Sequence, residues 1–393
     1  MSANSSKVGL DHCPRLLQDD LALSPECEGY SDYTYVPWGW LVDLSSIRTH
    51  QHLLEGWNFT DSWLHGVLGI PPEDTFYLKD ANRNHYSFQD FLSRDPTPLR
   101  KYNESIHIAA LARRPERLLV LGTLFGSSRL HLRAPAHYLL RKRIRAHMAL
   151  ANAPLALVAA RIRGALDPAG RGAYLAVHLR VGDGAFAWHA HENARAAWWR
   201  LLRGPLGDAF PDDDAVAALE LALFPNEASG APPALSPDVP ALRAPVPPRP
   251  PFPWPAPVRG QRMWGSGVPE DGPKCRGPLH TAPHLRALNA PLYVATDARE
   301  PTLAAPLWRF VRTFPCAFFL EDFAGDTRYT GALRGLRNPA DGVALGPFLM
   351  PLLDAMVAGQ AWAVVGTEGS TFSAYVTDVL WRTHHGYEIV QRG

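Results

Sequence analysis

Apolar positions are most regularly patterned in the second half of the chain. From Ala173 onward, short aliphatic runs alternate with stretches of helical spacing. This pattern predicts strands at 173–179, 291–296, 316–320 and 361–366, helices around 303–310, 347–358 and 372–381, and a last strand near 387–390. Strands joined by helical crossovers of this length imply an α/β fold with a parallel, doubly wound sheet, whose ligands gather at the carboxyl ends of the strands. The first half is less regular. Residues 1–34 are polar and turn-rich, and packing begins at Tyr35-Val36-Pro37-Trp38 and runs through Leu44. Leu118–Gly122 reads as a short buried strand and turn. Pro135 opens a long helical stretch to about Leu166, in which Leu139, Leu140, Ile144, Met148 and Leu150 recur near helical spacing. Its basic cluster, Arg141, Lys142, Arg143 and Arg145, reads as a solvated face.

Length and composition set the frame around these elements. At about 150 residues per domain, 393 residues imply two or three domains; the change of pattern places them at 1–170 and 171–393. A proline-rich insert at about 226–262 interrupts the second, with 12 prolines between 232 and 257, so it cannot join a sheet ladder and reads as an extended surface loop. Lys+Arg 39 against Asp+Glu 38 leaves a net charge of +1, which disfavours nucleic acid as a partner. Four cysteines are too widely spaced for a zinc knuckle. The expected pairing is Cys275 with Cys316, around the segment that holds Asp297, and Cys13 with Cys27. Asn4, Asn58 and Asn103 each begin an Asn-x-Ser/Thr triplet, which suits a secreted or lumenal chain. No apolar run approaches the ~18 residues of a membrane span, and Met1–Leu10 lacks the apolar stretch of a signal peptide.

Three constellations could carry chemistry, each at a predicted strand end. In Val177-His178-Leu179-Arg180-Val181-Gly182-Asp183-Gly184, His178 and Arg180 share a strand face and can converge on one anion. A guanidinium binds phosphate bidentately and can stabilise a departing diphosphate; the plainer reading of Arg180 is a structural ion pair. In Tyr293-Val294-Ala295-Thr296-Asp297, the carboxylate suits ribose hydroxyls or the N–H groups of guanine, or else caps the following helix. In Gly366-Thr367-Glu368-Gly369-Ser370-Thr371-Phe372-Ser373, a glycine-bearing turn with hydroxyls meets a helix start. Those are ingredients of a phosphate site and equally of an N-cap.

Taken in order, His178-Leu179-Arg180, Ala295-Thr296-Asp297, and Gly366 with Ser370-Thr371-Phe372-Ser373 resemble the three motifs of the GDP-fucose O-fucosyltransferase superfamily, its fungal branch above all. Segments 35–38, 121–126, 274–278 and Glu321-Asp322-Phe323 are similar to stretches of the same family. The resemblance implies a GT-B fold, with two Rossmann-like domains facing across a cleft, and an inverting transfer of fucose from GDP-fucose to a protein or glycan hydroxyl without a required metal or cofactor. By matched position, Arg180 would hold the β-phosphate as GDP leaves, His178 would contact the nucleotide or sugar-phosphate, and Asp297 would bind guanine. Ser370, Thr371 and Phe372 would contact the diphosphate and base, and Asp183 and Ser373 flank these contacts. The family's first strand and its Gly- and Asn-bearing loop have no counterpart here. The resemblance then implies one of two things: the sequence starts after this βα unit, and after a signal anchor that would place the protein in the ER or Golgi lumen, or this member has lost part of its donor site; no residue is assigned as general base. Two other classes are carried: a non-catalytic GDP-sugar-binding protein, and a metallohydrolase built on His189-Ala190-His191-Glu192 with Asp183 upstream.

Overall fold

The computed structural model describes residues 7, 9–10, 12–19, 22, 24–53, 61–79, 82, 85–91, 102–121, 129–167, 174–227, 232–233 and 273–391. They fall into two compact units. One comprises Met1–Met148, Arg337–Val343 and Gln391–Gly393; the other comprises Ala149–Leu336 and Ala344–Val390. Nearly all of the proline-rich insert and segment 122–126 lie outside the described residues, as do Asn4 and Asn58, whereas Asn103 is described and exposed.

The first unit is built from short strands: β1 (Thr75–Leu78), β2 (Tyr86–Gln89), β3 (Glu104–His107), β4 (Leu118–Leu121) and β5 (Leu130–His131). β1 and β4 form one parallel pair, and β2 lies between β3 and β5 in a second parallel sheet. Its best-tied region is a polar knot around Asp341. The buried Lys7 ammonium lies 2.8 Å from Asp341 Oδ2 and 4.2 Å from the centre of the Tyr30 ring. Thr34 Oγ1 donates to the same carboxylate, and Asn338 Nδ2 donates to the Tyr35 carbonyl. A buried lysine is tolerable only with a charge partner of this kind, and the knot joins the N-terminal segment to residues 337–343 within this unit.

The helical stretch expected over 135–166 is two helices in different units, Pro135–Ala146 and Ala153–Leu166. Asn152 accepts from Leu155 N at 3.1 Å and Pro154 occupies the first turn, so a new helix starts there. The second unit consequently begins before residue 171.

That unit holds a four-stranded parallel sheet made of β6 (Leu175–Leu179), β7 (Leu292–Thr296), β8 (Ala317–Phe318) and β9 (Ala363–Gly366), in the order β8-β7-β6-β9. Leu175 faces Leu292 on one side and Ala363 on the other. Every residue of β6 is buried, which explains why all but His178 are apolar: helices cover both faces. On one face Leu175, Val177, Leu179, Leu292 and Val294 pack with Trp198, Trp199, Leu201 and Leu202 of helix Ala190–Arg203. Helix Gly346–Gly359 covers the other face, where the Tyr174 hydroxyl donates to Val357 O and the Tyr293 hydroxyl to Asp354. Trp198 and Trp199 are thus core residues.

Four predicted elements of the second unit differ. The helix expected around 303–310 is a 3-10 turn at Ala305–Leu307 followed by helix Trp308–Thr313. The strand expected at 316–320 pairs only over Ala317–Phe318, because the chain turns into helix Glu321–Ala324. The helix at 372–381 spans 371–384 with a wide turn at Val376–Leu380. Residues 387–390 form no strand; their end is held by Val390 N donating to Asp378 O. Cysteines 13 and 27, and 275 and 316, are joined in two disulfides, which fit a secreted or lumenal protein. Among the described residues, no helix is long and apolar enough to cross a membrane.

Candidate functional site

The strand order creates a switch point. After β6 the chain enters helix Ala190–Arg203 on one face of the sheet, and after β9 it enters the helix starting at Thr371, which packs on the side of Gly346–Gly359. The connections that leave the neighbouring strands β6 and β9 therefore pass to opposite faces of the sheet, the kind of switch point beside which open parallel sheets bind ligands. His178, Arg180 and Asp183 lie at the end of β6, and Thr367 to Ser373 follow β9. Asp297 follows β7 on the other side of β6.

A hydrogen-bond network joins these three ends. His178 Nδ1 is 2.7 Å from Ser373 Oγ, which also accepts from Thr367 N. Thr367 N donates to His178 O, and Thr367 Oγ1 accepts from Arg180 N at 3.0 Å. Asp297 Oδ1 accepts from Val181 N at 2.7 Å and from Gly182 N at 2.9 Å. Ser370 Oγ accepts from Ser373 N as the N-cap of the last helix, and Gly369, at φ +73°, makes the tight turn before it. Two glycines are there for closeness. A Cβ on Gly182 would lie 2.8 Å from Asp297 O, and one on Gly366 would lie 2.8 Å from Ser373 Cβ.

Charge at the site is arranged around one guanidinium. Arg180 is bidentate to Asp183, with Nε–Oδ1 2.9 Å and Nη2–Oδ2 2.8 Å, and stands 3.9 Å from Asp297 Oδ2. The Asp183 hydrogen bonds raise the Arg180 pKa, and the same bonds hold Asp183 below the usual carboxylate range. Burial, with a smaller push from Arg180 against the pull of Asp297, lowers His178 to about 4. His178 is therefore a neutral imidazole at physiological pH, a hydrogen-bonding group rather than a second cation. Its ring lies 5.1 Å from that of Phe372. Thr371 is exposed, and its N–H and that of Phe372 belong to the first helical turn, where no intrahelical acceptor exists.

The structure thus links His178, Arg180, Asp183, Asp297, Ser370 and Ser373 directly or through Thr367, with Phe372 against His178 and Thr371 on the rim. Asp297 Oδ1 holds the loop that follows Arg180 through the N–H groups of Val181 and Gly182, while its Oδ2 stands 3.9 Å from Arg180 Nε. Sequence reasoning missed Thr367 as the hub, and missed two supports behind it. Arg200, from helix Ala190–Arg203, donates to Gly366 O and pairs with Glu368 at 2.6 Å, pinning the turn after β9. Asp354 accepts from Thr296 N and from the Tyr293 hydroxyl, pinning the end of β7. His189 pairs with Glu192, and neither His189 nor His191 belongs to a metal-sized cluster. Among the described residues the one such group is His12, Cys13 and Cys27, where the two sulfurs are bonded to each other.

Comparison with protein-family models, with curated proteins and with solved structures returns no match.

Proposed function

We propose that this chain is an inverting glycosyltransferase of the GDP-fucose O-fucosyltransferase type, which transfers fucose to a hydroxyl of a protein or glycan in the ER or Golgi lumen. The observation that carries the reading is the hydrogen-bond network that joins the three strand ends whose motifs resemble that family. In this reading the second unit corresponds to the donor-binding Rossmann-like half of a GT-B enzyme, and the first to its other half.

In the proposed reaction the acceptor oxygen attacks C1 of fucose. The C1–O bond to the β-phosphate breaks, its electron pair passes to the diphosphate, and the acceptor proton is lost to a base. Negative charge develops on the leaving GDP, so a fixed cation aimed at it is the largest available stabilisation. Arg180 fills that role because it cannot deprotonate and has a planar fork. His178, neutral and held by Ser373, offers a hydrogen bond without competing for the charge. Thr371 and Phe372 add first-turn N–H groups. Asp297 holds the Arg180 loop in place.

The test is incubation with GDP-fucose and a pool of secretory glycoproteins, following GDP release and fucose incorporation. Transfer that falls about 10²–10³-fold in Arg180→Ala supports the leaving-group role. Equal turnover in the variant contradicts it, while selective GDP binding without transfer favours the non-catalytic reading.

A further inference from the structure

The Arg180 fork is already filled. Asp183 places two oxygens on two of its nitrogens, 2.9 and 2.8 Å apart, which is how a phosphate would take the same group. Asp183 also occupies the N-cap position of helix Gly184–Trp188. Its backbone is extended (φ −141°, ψ 156°), and its carbonyl already accepts from Phe186 N and Ala187 N. Aspartate is among the strongest N-cap residues, because its carboxylate accepts from the first-turn N–H groups. Here the side chain makes no cap bond. The carboxylate uses the guanidinium; at the helix start, where Phe186 N already serves the carbonyl, the cap donor left to it is the Ala185 N–H. With 60% of its side chain exposed, it can change between them without unpacking any neighbour.

We propose that Asp183 is a gate on Arg180, displaced by a substrate's diphosphate and received by the start of its own helix. In the resting state the carboxylate neutralises the guanidinium and blocks it against single, weakly held anions. A diphosphate, with more charge and several oxygens, takes the fork; Asp183 turns away and caps the helix, which offsets part of the lost ion pair. The gate selects for polyvalent phosphate ligands over carboxylates and chloride. The identity of the ligand as a nucleoside diphosphate rests on the function proposed above, whereas the exchange itself needs only a diphosphate group.

Calorimetric titration of inorganic pyrophosphate and of GDP into the wild-type chain, Asp183→Asn, Arg180→Ala and the double variant tests this. Asparagine can still cap but carries no charge. The pair being replaced is partly exposed, so Asp183→Asn is expected to bind pyrophosphate about two- to fivefold more tightly. That gain should vanish when Arg180 is absent, which a merely structural role for Asp183 would not produce. Unchanged or weaker binding by Asp183→Asn overturns the gate, as does a gain that persists in the Arg180→Ala background. Coupled pyrophosphate binding without selectivity for GDP leaves the gate standing and removes the donor assignment. Selective GDP binding without coupling does the reverse.

Discussion

Asp297 separates two accounts of this site. If it reads the guanine base, its replacement costs selectivity; if it holds the loop after β6, its replacement costs stability and weakens every diphosphate alike. The geometry favours the second role, since Oδ1 accepts from both Val181 N and Gly182 N. Hydrogen bonds to a charged group contribute about 1.5–3 kcal/mol when desolvated. The Val181 bond is partly buried and the Gly182 bond is exposed, so water replaces the second after truncation. Asp297→Ala is therefore expected to cost about 2–3 kcal/mol in all, or about 5–10 °C of Tm for a unit of this size. Asp297→Asn retains Oδ1 as an acceptor and should recover most of that loss. Thermal unfolding of both variants, with titrations of GDP, UDP and ADP, measures the two effects side by side. Loop support predicts that the Ala variant weakens all three nucleotides by a similar factor. An Ala variant that melts like wild type and loses only the preference for GDP would refute the loop-support role.

Three further predictions follow from buried chemistry. Glu220 accepts from Arg195 at 2.8 Å, from Arg309 at 2.6 Å and from Trp199, so Glu220→Gln leaves two guanidinium groups undercompensated and should cost about 3–5 kcal/mol in denaturant unfolding. Burial alone would raise its pKa, but Arg195, Trp199 and Arg309 bring it below the ordinary 4.5; its stabilisation is present above that pH and lost as pH falls through the lowered value, a slope that the variant should lack. Burial raises Asp354 from 3.8 to about 7, against the hydrogen bonds of Tyr293 and Thr296 N. The folded state thus keeps a proton that the unfolded chain releases, and stability falls as pH rises from about 4 to 7. Asp354→Asn should raise Tm more at pH 8 than at pH 5, and an equal change at both would remove the protonated acid from the account. Protein made through a secretory pathway should show no free thiol under denaturing conditions, whereas four reactive thiols would contradict the two disulfides.

The second unit was legible because its strands are buried on both faces. Leu175-Ala176-Val177-His178-Leu179 and Leu292-Tyr293-Val294-Ala295-Thr296 are largely buried, mostly apolar runs, and the charged residues Arg180 and Asp297 follow them. The first unit was not, because its four-residue strands are mostly half-buried and carry no clear period. The break in the long helical stretch is made by Asn152 and Pro154, which the apolar spacing across 139–150 does not register. At the site, single residues could be named from strand ends, yet their partners could not. Arg200 and Glu368 lie 168 positions apart and Asp354 and Thr296 lie 58 apart, and no local pattern connects them. The role of Asp297 turned on the same difficulty: a carboxylate after a strand reads as a cap or a ligand until the neighbouring loop is placed beside it.

The most direct measurement is calorimetric titration of GDP, with UDP and ADP as controls, into the wild-type chain and Arg180→Ala. The account predicts selective binding of GDP at a single site, lost or strongly weakened when the guanidinium is removed. Binding that the variant retains in full, or no nucleotide binding by the wild-type chain, would contradict a diphosphate site at the carboxyl ends of β6 and β9.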